Sequence, residues 1–331
     1  MQVCNSIEAC PQTGRPLHLA LGMFDGVHLG HRAVISAARE GALRSDGITG
    51  VLSFNPHPSR VIRPDSPTLM LMPEMLKRLA FKDLGVGVYI SQAFTQEFAS
   101  LDATAFLKHL QDSLPDLRSL YVGDNFRFGK GRSGTVDFMV EQGRKLGLHI
   151  YSAPRIRYDG EPISSTRIRE SLQAGRIAEV NAMLGRSYRL LALVTEGDKL
   201  GRKLGFPTFN LPWKPELAPR HGVYAVTVHN VDSAENARVF GVRAREGALC
   251  GVANYGVRPS VSKDQEPRLE VHLLLPEGEA VPSWKPGEML CVRLVEYLRD
   301  EQAFENVEAL KAQIAEDKAK AVAYFGLKNI A

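Results

Sequence analysis

The sequence LGMFDGVHLGHRAVI, residues 21–35, sets two histidines three positions apart, among glycines, at the end of an apolar run. The residues that follow, HRAVISAAREGALR at 31–44, have the periodicity of an amphipathic helix. We therefore predict a first strand that turns directly into a first helix. Gly22, Gly26 and Gly30 would allow a ligand close to the backbone of that turn.

Three interpretations of His28 and His31 are open on these residues alone. At a helix N-terminus, free N–H groups and a partial positive charge attract phosphate, and both imidazoles can donate hydrogen bonds to its oxygens. A metal site would need further ligands such as Asp25 and His57, and no recognised ligand spacing supports them. The third interpretation is packing of both histidines in the core. The glycine-rich turn favours the phosphate interpretation.

Strand and helix patterns alternate outward from this turn. Candidate strands lie at 17–24, 48–54, 86–91, 119–123 and 148–154. Helical patterns lie at 31–44, 73–85, 103–114 and 135–147, and two more follow at 166–175 and 177–185. This alternation predicts an α/β domain, a Rossmann-like parallel sheet covered on both faces, with ligands at the carboxyl ends of its strands.

The pattern changes after Gly185. Short β-rich runs punctuated by Gly and Pro predict an all-β barrel or sandwich, and a periodic stretch at 306–326 predicts a closing helix. We therefore expect an α/β domain over 1–185 and a β-barrel domain with a C-terminal helix over 186–331. Two domains also suit a chain of 331 residues.

Charge, hydropathy and cysteine content restrict the expected partners and cellular location of the protein. A net charge of +4 over this length is mild and gives no reason to expect a nucleic-acid partner. No apolar stretch approaches the length of a membrane span, and the N-terminus does not have the pattern of a secretory signal. Cys4, Cys10, Cys250 and Cys291 form no CxxC pair, so we expect reduced thiols in a cytoplasmic protein, the first two in a loose N-terminus.

Two further motifs follow predicted strands. FNPHPSR at 54–60 is a rigid turn around His57, either a stiff loop or part of a pocket. VGDNFRFGKGRSG at 122–134 combines glycines, aromatic rings and basic side chains. It is interpreted as the wall of a pocket for a planar anionic ligand, or as a basic solvated loop.

A third motif, ISSTRIR at 163–169, begins a predicted helix. Ser164 or Ser165 can cap that helix, and capping alone is the plainer interpretation. Arg167 and Arg169 lie on different helix faces, so one of them can reach a polyphosphate. Together with the first turn, this motif could bind one triphosphate from two sides.

At this point the motifs indicate a family. The chain resembles the bifunctional bacterial riboflavin kinase/FMN adenylyltransferases, the prokaryotic FAD synthetases. The matching pieces occur in order over about residues 20 to 325: GMFDGVHLGH, FNPHP, VGDNFRFGKGRSG, ISSTRIR, GRKLGFPTFN, GVYAV, GVANYGVRPS, LEVHL and LRDEQAF. The resemblance implies an HxGH nucleotidyltransferase domain followed by a riboflavin kinase barrel.

For the transferase domain, the resemblance implies that His28 and His31 contact the ATP phosphates and stabilise the transition state, with Asn125 near the reacting phosphates. It also implies that Ser165, Thr166 and Arg169 hold the β/γ end of ATP. The remaining implied ATP contacts are Gly22, Phe24, Asp25 and Gly26, and the implied flavin contacts are Phe54, Pro56, Pro58 and Phe128.

For the kinase domain, the resemblance makes Glu270 the base, although by pattern alone it would be a solvent-facing strand residue. Thr208 and Asn210 offer neutral oxygens on one face of an extended segment and are expected to complete Mg²⁺ coordination, unless they are only a polar pair at a turn. ATP contacts are implied for Gly201, Lys203 and Gly205. Flavin contacts are implied for Arg299, Asp300, Glu301 and Phe304.

The chain departs from the family pattern in the kinase half. Phe209 stands where a small residue is usual, and we expect its side chain to point away from Thr208 and Asn210. Ser260 replaces a Thr and keeps the hydroxyl. VPSWKPGEML at 281–290 replaces a common Asp-Leu-Tyr-Gly turn, which puts kinase rate or substrate affinity in question.

The expected activity is a two-step synthesis. Riboflavin and ATP give FMN and ADP, and FMN and ATP then give FAD and pyrophosphate, with Mg²⁺, in a monomer or weak homo-oligomer. A different HxGH nucleotidyltransferase or a tRNA synthetase relative is the enzymatic alternative, but the chain lacks a basic anticodon-binding region. A flavin-responsive binding protein is the alternative from another class, supported only by the 281–290 loop.

Overall fold

In the computed structural model, the described residues are 1–195, 206–231, 248–256 and 267–328. The chain divides into two compact units, Met1–Ser165 and Thr166–Ala331, and each is described by itself. The two helical segments predicted at 166–175 and 177–185 fall in the second unit. The functional boundary expected at 185 stays a prediction.

The first unit contains a six-stranded parallel sheet, which confirms the α/β prediction. Its strands are β1 (Gln2–Cys4), β2 (Leu17–Leu21), β3 (Ile48–Asn55), β4 (Val88–Ala93), β5 (Leu117–Gly123) and β6 (His149–Ala153). They are ordered β1-β4-β3-β2-β5-β6. A two-stranded ribbon of β7 (Arg157–Tyr158) and β8 (Glu161–Pro162) follows.

Helices join these strands. They are α1 (Leu29–Arg44), α2 (Pro58–Ile62), α3 (Glu74–Asp83), α4 (Gln96–Ala99), α5 (Ala103–Ser113) and α6 (Val136–Lys145). The central strands are apolar and buried, as expected where helices cover both faces of a parallel sheet. The helix α1 buries Val34, Ile35, Ala38 and Ala42 on one face, because these residues recur at helical spacing.

The loose N-terminus predicted from the sequence is wrong. The strand β1 pairs in parallel with β4 and forms an edge of the sheet. Ile7 is fully buried, and its N–H donates to Gln92 Oε1 at 2.8 Å. Cys4 and Cys10 are buried as free cysteines, so edge pairing and apolar burial fix this segment.

The second unit contains an antiparallel sheet that curls, which confirms the predicted barrel class. Two helices come before this sheet in the chain, α7 (Ser165–Gln173) and α8 (Ile177–Leu184). The strands are β9 (Tyr188–Leu193), β10 (Thr208–Pro212), β11 (Gly222–Asn230), β12 (Leu249–Gly256), β13 (Arg268–Leu273) and β14 (Met289–Arg299). Their order is β10-β13-β12-β11-β14-β9, and a bridge from Thr195 to Asn210 joins the two edges.

The predicted closing helix is α9 (Val307–Phe325). Asn306 caps its start by accepting the Ala309 N–H, and Gly326 ends it in the left-handed region at φ 63°. Ala321 of this helix is buried in a small cluster with Ala225 and Leu274 of the barrel. In the described ranges, the helices are too short or too polar to traverse a bilayer.

Candidate active sites

The predicted transferase motifs meet at one edge of the first sheet. The strand β2 ends before the HxGH turn, β3 ends within FNPHP, and β5 ends before the Asn125 loop. Because all six strands are parallel, their carboxyl ends lie along the same edge. This edge is the candidate transferase site.

His28 is the N-cap residue of α1. Its Nδ1 accepts the His31 N–H at 3.3 Å, and the two imidazole rings stack with centroids 3.6 Å apart. Because Nδ1 is an acceptor, a neutral His28 carries its proton on Nε2, which is then a hydrogen-bond donor. His28 is only 5% exposed, so the ring is held in this orientation by its surroundings.

The turn before His28 has an unusual backbone. Phe24 has φ 51°, Gly26 φ 81° and Val27 φ 41°, all in the left-handed region that side chains other than glycine rarely adopt. The buried Phe24 ring meets His31 edge-on at 5.3 Å and Phe81 at 5.8 Å. Packing of Phe24 therefore holds a turn that local preference alone would not favour.

Asp25 links this turn to two other segments. Its buried carboxylate accepts the Leu71 N–H at 3.0 and 3.1 Å, and its backbone carbonyl accepts a hydrogen bond from Ser165 Oγ at 2.9 Å. The structure thus brings Ser165 of the ISSTRIR motif against the HxGH turn. Thr166 and Arg169 follow on α7, and their contacts with ATP stay predictions.

His57 is engaged as a helix cap. Its Nδ1 accepts the Ser59 N–H at 3.1 Å at the start of α2. Pro56 follows a cis peptide bond, and the Phe54 ring packs beside Phe94 and Phe98. Within the described ranges no three His, Cys, Asp or Glu side chains are grouped as for a metal, so a metal site at His28, His31, Asp25 and His57 has no support.

The two predicted residues after β5 have different surroundings. Asn125 is exposed in the loop. Phe128 is 7% exposed and packs in the core beside Phe106, with its ring stacked on that of the half-buried Phe126 at 5.9 Å. A flavin contact by Phe128 stays a prediction, and only the small exposed part of its ring is available for it.

The candidate kinase site is a cavity of about 230 Å³ in the second unit. Five residues implied by the resemblance line it: Thr208, Glu270, Arg299, Glu301 and Phe304. The barrel register explains why Glu270 and the predicted metal ligands are close. On β13, Glu270 is paired with Asn210 of β10 and Asn254 of β12, and His272 is paired with Thr208.

The set of oxygen donors fits a shared magnesium ion. Thr208 and Asn210 lie two positions apart on β10, so their side chains share the face of Glu270. Hydroxyl and amide oxygens are hard ligands of the kind Mg²⁺ accepts. Two neutral oxygens would leave most of the coordination shell to phosphate oxygens and water.

The two largest departures from the family pattern contact each other. Phe209 lies on the opposite face of β10, as predicted, and its ring meets that of Trp284 at 4.7 Å. The unusual 281–290 loop is thus packed on the face of β10 away from the Glu270 side. Ser260, Gly201, Lys203 and Gly205 lie outside the described residues.

Arg299 and Asp300 are held by other protein groups. Asp317 of α9 accepts two hydrogen bonds from Arg299, at 2.8 and 2.7 Å, and the Asp300 carbonyl accepts a third. The Asp300 carboxylate accepts from Tyr297 and Arg220, and these bonds hold its pKa below the usual range. Unlike Arg299, Asp300 does not line the cavity.

Glu301 lies over the end of β12. It accepts a hydrogen bond from Asn254 Nδ2 at 3.1 Å. A Cβ on Gly256 would lie 1.8 Å from Glu301 Oε1. The glycine that ends GVANYG therefore makes room for the Glu301 carboxylate.

Several cavity residues were missed in the sequence: Asn254, His272, Asp317 and Lys318. His272 donates from Nδ1 to the Pro207 carbonyl at 3.0 Å, and burial lowers its pKa. Alternation along β13 could have identified His272, two residues beyond Glu270. Helical spacing could have identified Asp317, which shares a face of α9 with Leu310 and Ile314.

The fold and both sites define a class of protein, a nucleotidyltransferase-type α/β domain joined to a flavin kinase-type barrel. The chain matches the FAD synthetase family over residues 10–167 and the riboflavin kinase family over residues 184–325. The chain belongs to the bifunctional riboflavin kinase/FMN adenylyltransferase family, with the FAD synthetase domain first and the riboflavin kinase domain second.

Relatives match along nearly the whole chain. The bifunctional riboflavin kinase/FMN adenylyltransferase of Escherichia coli K12 is 35% identical over 325 residues, 98% of this chain and 96% of the relative. The proteins of that name from Pseudomonas fluorescens and Bacillus subtilis are 35% and 31% identical, and cover 93% of this chain and 94% and 92% of their own lengths.

A crystal structure also shares the fold. A Streptococcus pneumoniae protein described as a macrolide-efflux protein superposes with a TM-score of 0.82, covering 96% of this chain and 97% of its own. It is 23% identical, so the similarity supports the fold alone.

Proposed function

We propose that this chain makes FAD from riboflavin in two steps, with the residues predicted above as the reacting and binding groups. Riboflavin is phosphorylated at the Glu270 cavity, and FMN is adenylylated at the carboxyl edge of the parallel sheet. The family membership supports both activities. The residue roles rest on the local geometry.

In the adenylylation step, a phosphate oxygen of FMN attacks the α-phosphorus of ATP. The bond from that phosphorus to the bridging oxygen breaks, and pyrophosphate leaves. Because the FMN phosphate is already anionic, positioning and charge neutralisation suffice without a strong base. The His28 Nε2–H, His31 and the N-terminus of α1 neutralise the developing charge.

The binding roles proposed at this edge follow the motifs. Asn125 lies near the reacting phosphates, and Ser165, Thr166 and Arg169 hold the β/γ end of ATP. Gly22, Phe24, Asp25 and Gly26, in the turn before His28, contact the nucleotide, and Phe54, Pro56, Pro58 and Phe128 border the flavin. The Ser165 hydrogen bond to the Asp25 carbonyl supports the position of Ser165 at this edge.

In the kinase step, Glu270 accepts the proton of the primary hydroxyl of riboflavin as the oxygen attacks the γ-phosphorus of ATP and ADP leaves. Thr208 and Asn210 would hold Mg²⁺, which supplies charge neutralisation on the phosphates when bound. Arg299, Glu301 and Phe304 border the flavin, while Asp300 holds that segment through Arg220. Gly201, Lys203 and Gly205 are proposed to contact ATP.

One observation carries the kinase assignment: five residues from three separate segments of the chain, all implied by the resemblance, line a single cavity. The test is a time course with purified protein, riboflavin, ATP and Mg²⁺, followed by chromatography of the flavins. We expect FMN first and FAD later. Untouched riboflavin with conversion of added FMN to FAD would refute the kinase proposal, and no turnover with tight flavin binding would favour the binding-protein alternative.

We also propose that the two activities divide at residue 185, where Gly185 ends α8 in the left-handed conformation at φ 66°. The mild net charge of +4 supports a protein without a nucleic-acid partner. Free cysteines support a cytoplasmic location, and the expected state is a monomer or weak homo-oligomer. Size-exclusion chromatography with light scattering tests the last point.

A further inference from the structure

A second polar side chain lies beside the proposed base in the kinase cavity. His272 is two residues beyond Glu270 on β13, so the two side chains point to the same face, about 6.6 Å apart along the strand. Both line the cavity. A group in this place has room to meet the same substrate as Glu270.

The contacts of His272 fix which of its nitrogens can accept a hydrogen bond. Its Nδ1 lies 3.0 Å from the Pro207 carbonyl, which can only accept, so Nδ1 carries the proton. In a neutral imidazole, Nε2 is then an acceptor. The Phe206 ring packs against the imidazole edge-on at 5.7 Å, and within the described part of the chain no protein group donates to Nε2.

The neighbouring groups leave this acceptor available to a ligand. The Glu301 carboxylate already accepts from Asn254, and Asn210, the proposed magnesium ligand, is only 7% exposed. Leu310 and Ile314 of α9 form an apolar wall. That wall suits the flat ring of a flavin but offers nothing to a hydroxyl.

We propose that His272 Nε2 accepts a hydrogen bond from a secondary hydroxyl of the ribityl chain of riboflavin. The inference rests on the proposed function, in which Glu270 takes the proton of the terminal hydroxyl. The hydroxyls preceding it on the chain need acceptors when they leave water. His272 is the next acceptor along the same strand face, so it selects a polyol chain and aligns its end with Glu270.

A matched pair of substitutions separates this role from support of the Pro207 backbone. In His272→Asn, the shorter amide keeps a donor near the position of Nδ1 and loses the cavity acceptor. In His272→Gln, the longer amide places an acceptor near the position of Nε2 and loses the Pro207 hydrogen bond. A merely structural role would make the Gln variant the worse of the two.

The experiment measures dissociation constants for riboflavin and for a flavin with an unbranched 5-hydroxypentyl chain, which keeps only the terminal hydroxyl. Quenching of flavin fluorescence gives both constants. We expect His272→Asn to weaken riboflavin binding about tenfold, the effect of one hydrogen bond, and to leave the hydroxypentyl analogue unchanged. We expect His272→Gln to stay close to the unsubstituted protein with both ligands.

An equal loss for both ligands in His272→Asn would overturn the inference, and so would a loss confined to His272→Gln. Unchanged riboflavin binding in His272→Asn would overturn it as well. Urea unfolding followed by the fluorescence of Trp213 and Trp284 checks that the second unit of each variant is folded. Failure of the unsubstituted protein to phosphorylate riboflavin would instead refute the proposed function, so the two failures are distinguishable.

Discussion

His28 combines a structural and a chemical role that two substitutions can separate. It caps α1 through Nδ1, and its Nε2–H is the proposed phosphate donor. His28→Ala removes both, so we expect FAD formation to fall by about 10²-fold or more and stability by about 1 kcal/mol, while FMN formation continues. Chromatography of flavins and urea unfolding measure the two effects.

The decisive variant for this residue is His28→Asn. An Asn side chain can accept the same backbone N–H and restore the cap, but it has no imidazole. We expect stability to recover and FAD formation to stay low. His149→Ala, at the exposed start of β6 on the opposite edge of the sheet, is the control. Recovery of FAD formation in His28→Asn would mean that His28 acts only as the cap of α1 and not as a phosphate donor.

Glu270 offers the corresponding test in the second unit. Glu270→Gln keeps the shape of the side chain and removes the proton acceptor, so we expect riboflavin phosphorylation to fall about 10²- to 10⁴-fold. Adenylylation of added FMN should be unaffected in the same preparation. Glu277→Gln, at an exposed position beyond β13, is the matched control, and normal FMN production by Glu270→Gln would remove Glu270 as the base.

At the scale of elements, the strand β10 carries the proposed metal ligands on one face and an aromatic packing contact on the other. Thr208 and Asn210 share the cavity face, and Phe209 packs on Trp284 on the other. We expect Phe209→Ala to lower the free energy of unfolding by about 2 kcal/mol and to change the kinase rate little. Trp284→Ala should have a similar effect, and the double variant should show a coupling of about 1 kcal/mol.

The contrasting variant on the same strand is Thr208→Val, which should keep stability and lose kinase activity. Urea unfolding and the riboflavin kinase rate, measured on all four variants, give the comparison. A kinase rate that falls as far in Phe209→Ala as in Thr208→Val would mean that the unusual aromatic pair shapes the reacting site.

The sequence predicted most elements because their patterns are long. The helix predicted at 31–44 extends over Leu29–Arg44, and the closing helix predicted at 306–326 extends over Val307–Phe325. The strand β1 was missed because three edge residues carry no alternation. Its order is set by pairing with β4, a contact between residues far apart in the chain.

The site residues also fall into two groups, those that the sequence identifies and those that only the three-dimensional structure identifies. The strand–helix turn identified His28 and the resemblance identified Glu270. The roles of His272 and Asp317 were not predicted, because they depend on strand register and on the packing of a helix distant in the chain. Phe128 illustrates the reverse difficulty. A motif gives the identity of an aromatic residue, but only the three-dimensional packing reveals that its ring lies mostly in the core.

At the scale of the whole molecule, each unit contains a buried histidine whose pKa is lowered in the folded state. Burial lowers the pKa of His18 in the first unit, with Arg44 and Arg118 adding to the effect. In the second unit, burial and then Arg293 and Arg189 lower the pKa of His229 to about 4. In the described part of the chain, His229 Nε2 has no hydrogen-bond partner, so its protonation gains nothing.

This burial predicts acid sensitivity of the second unit. An unfolded His229 binds a proton near pH 6.5, whereas the folded one does so only near its pKa of about 4. Between these values the unfolded state holds more protons, so stability falls as pH falls, by on the order of 3 kcal/mol across the window. His229→Gln should abolish this contribution and leave the part of the pH dependence that carboxylates cause.

Tryptophan fluorescence allows the measurement on the second unit alone, because both tryptophans of the chain, Trp213 and Trp284, belong to it. Urea unfolding at pH 7.5, 6 and 5 should give free energies for the unsubstituted protein and His229→Gln that differ increasingly in favour of the variant as pH falls. A difference that stays constant with pH would mean that His229 has the same pKa in the folded and unfolded states. Burial of the imidazole would then not be the cause of any loss of stability in acid.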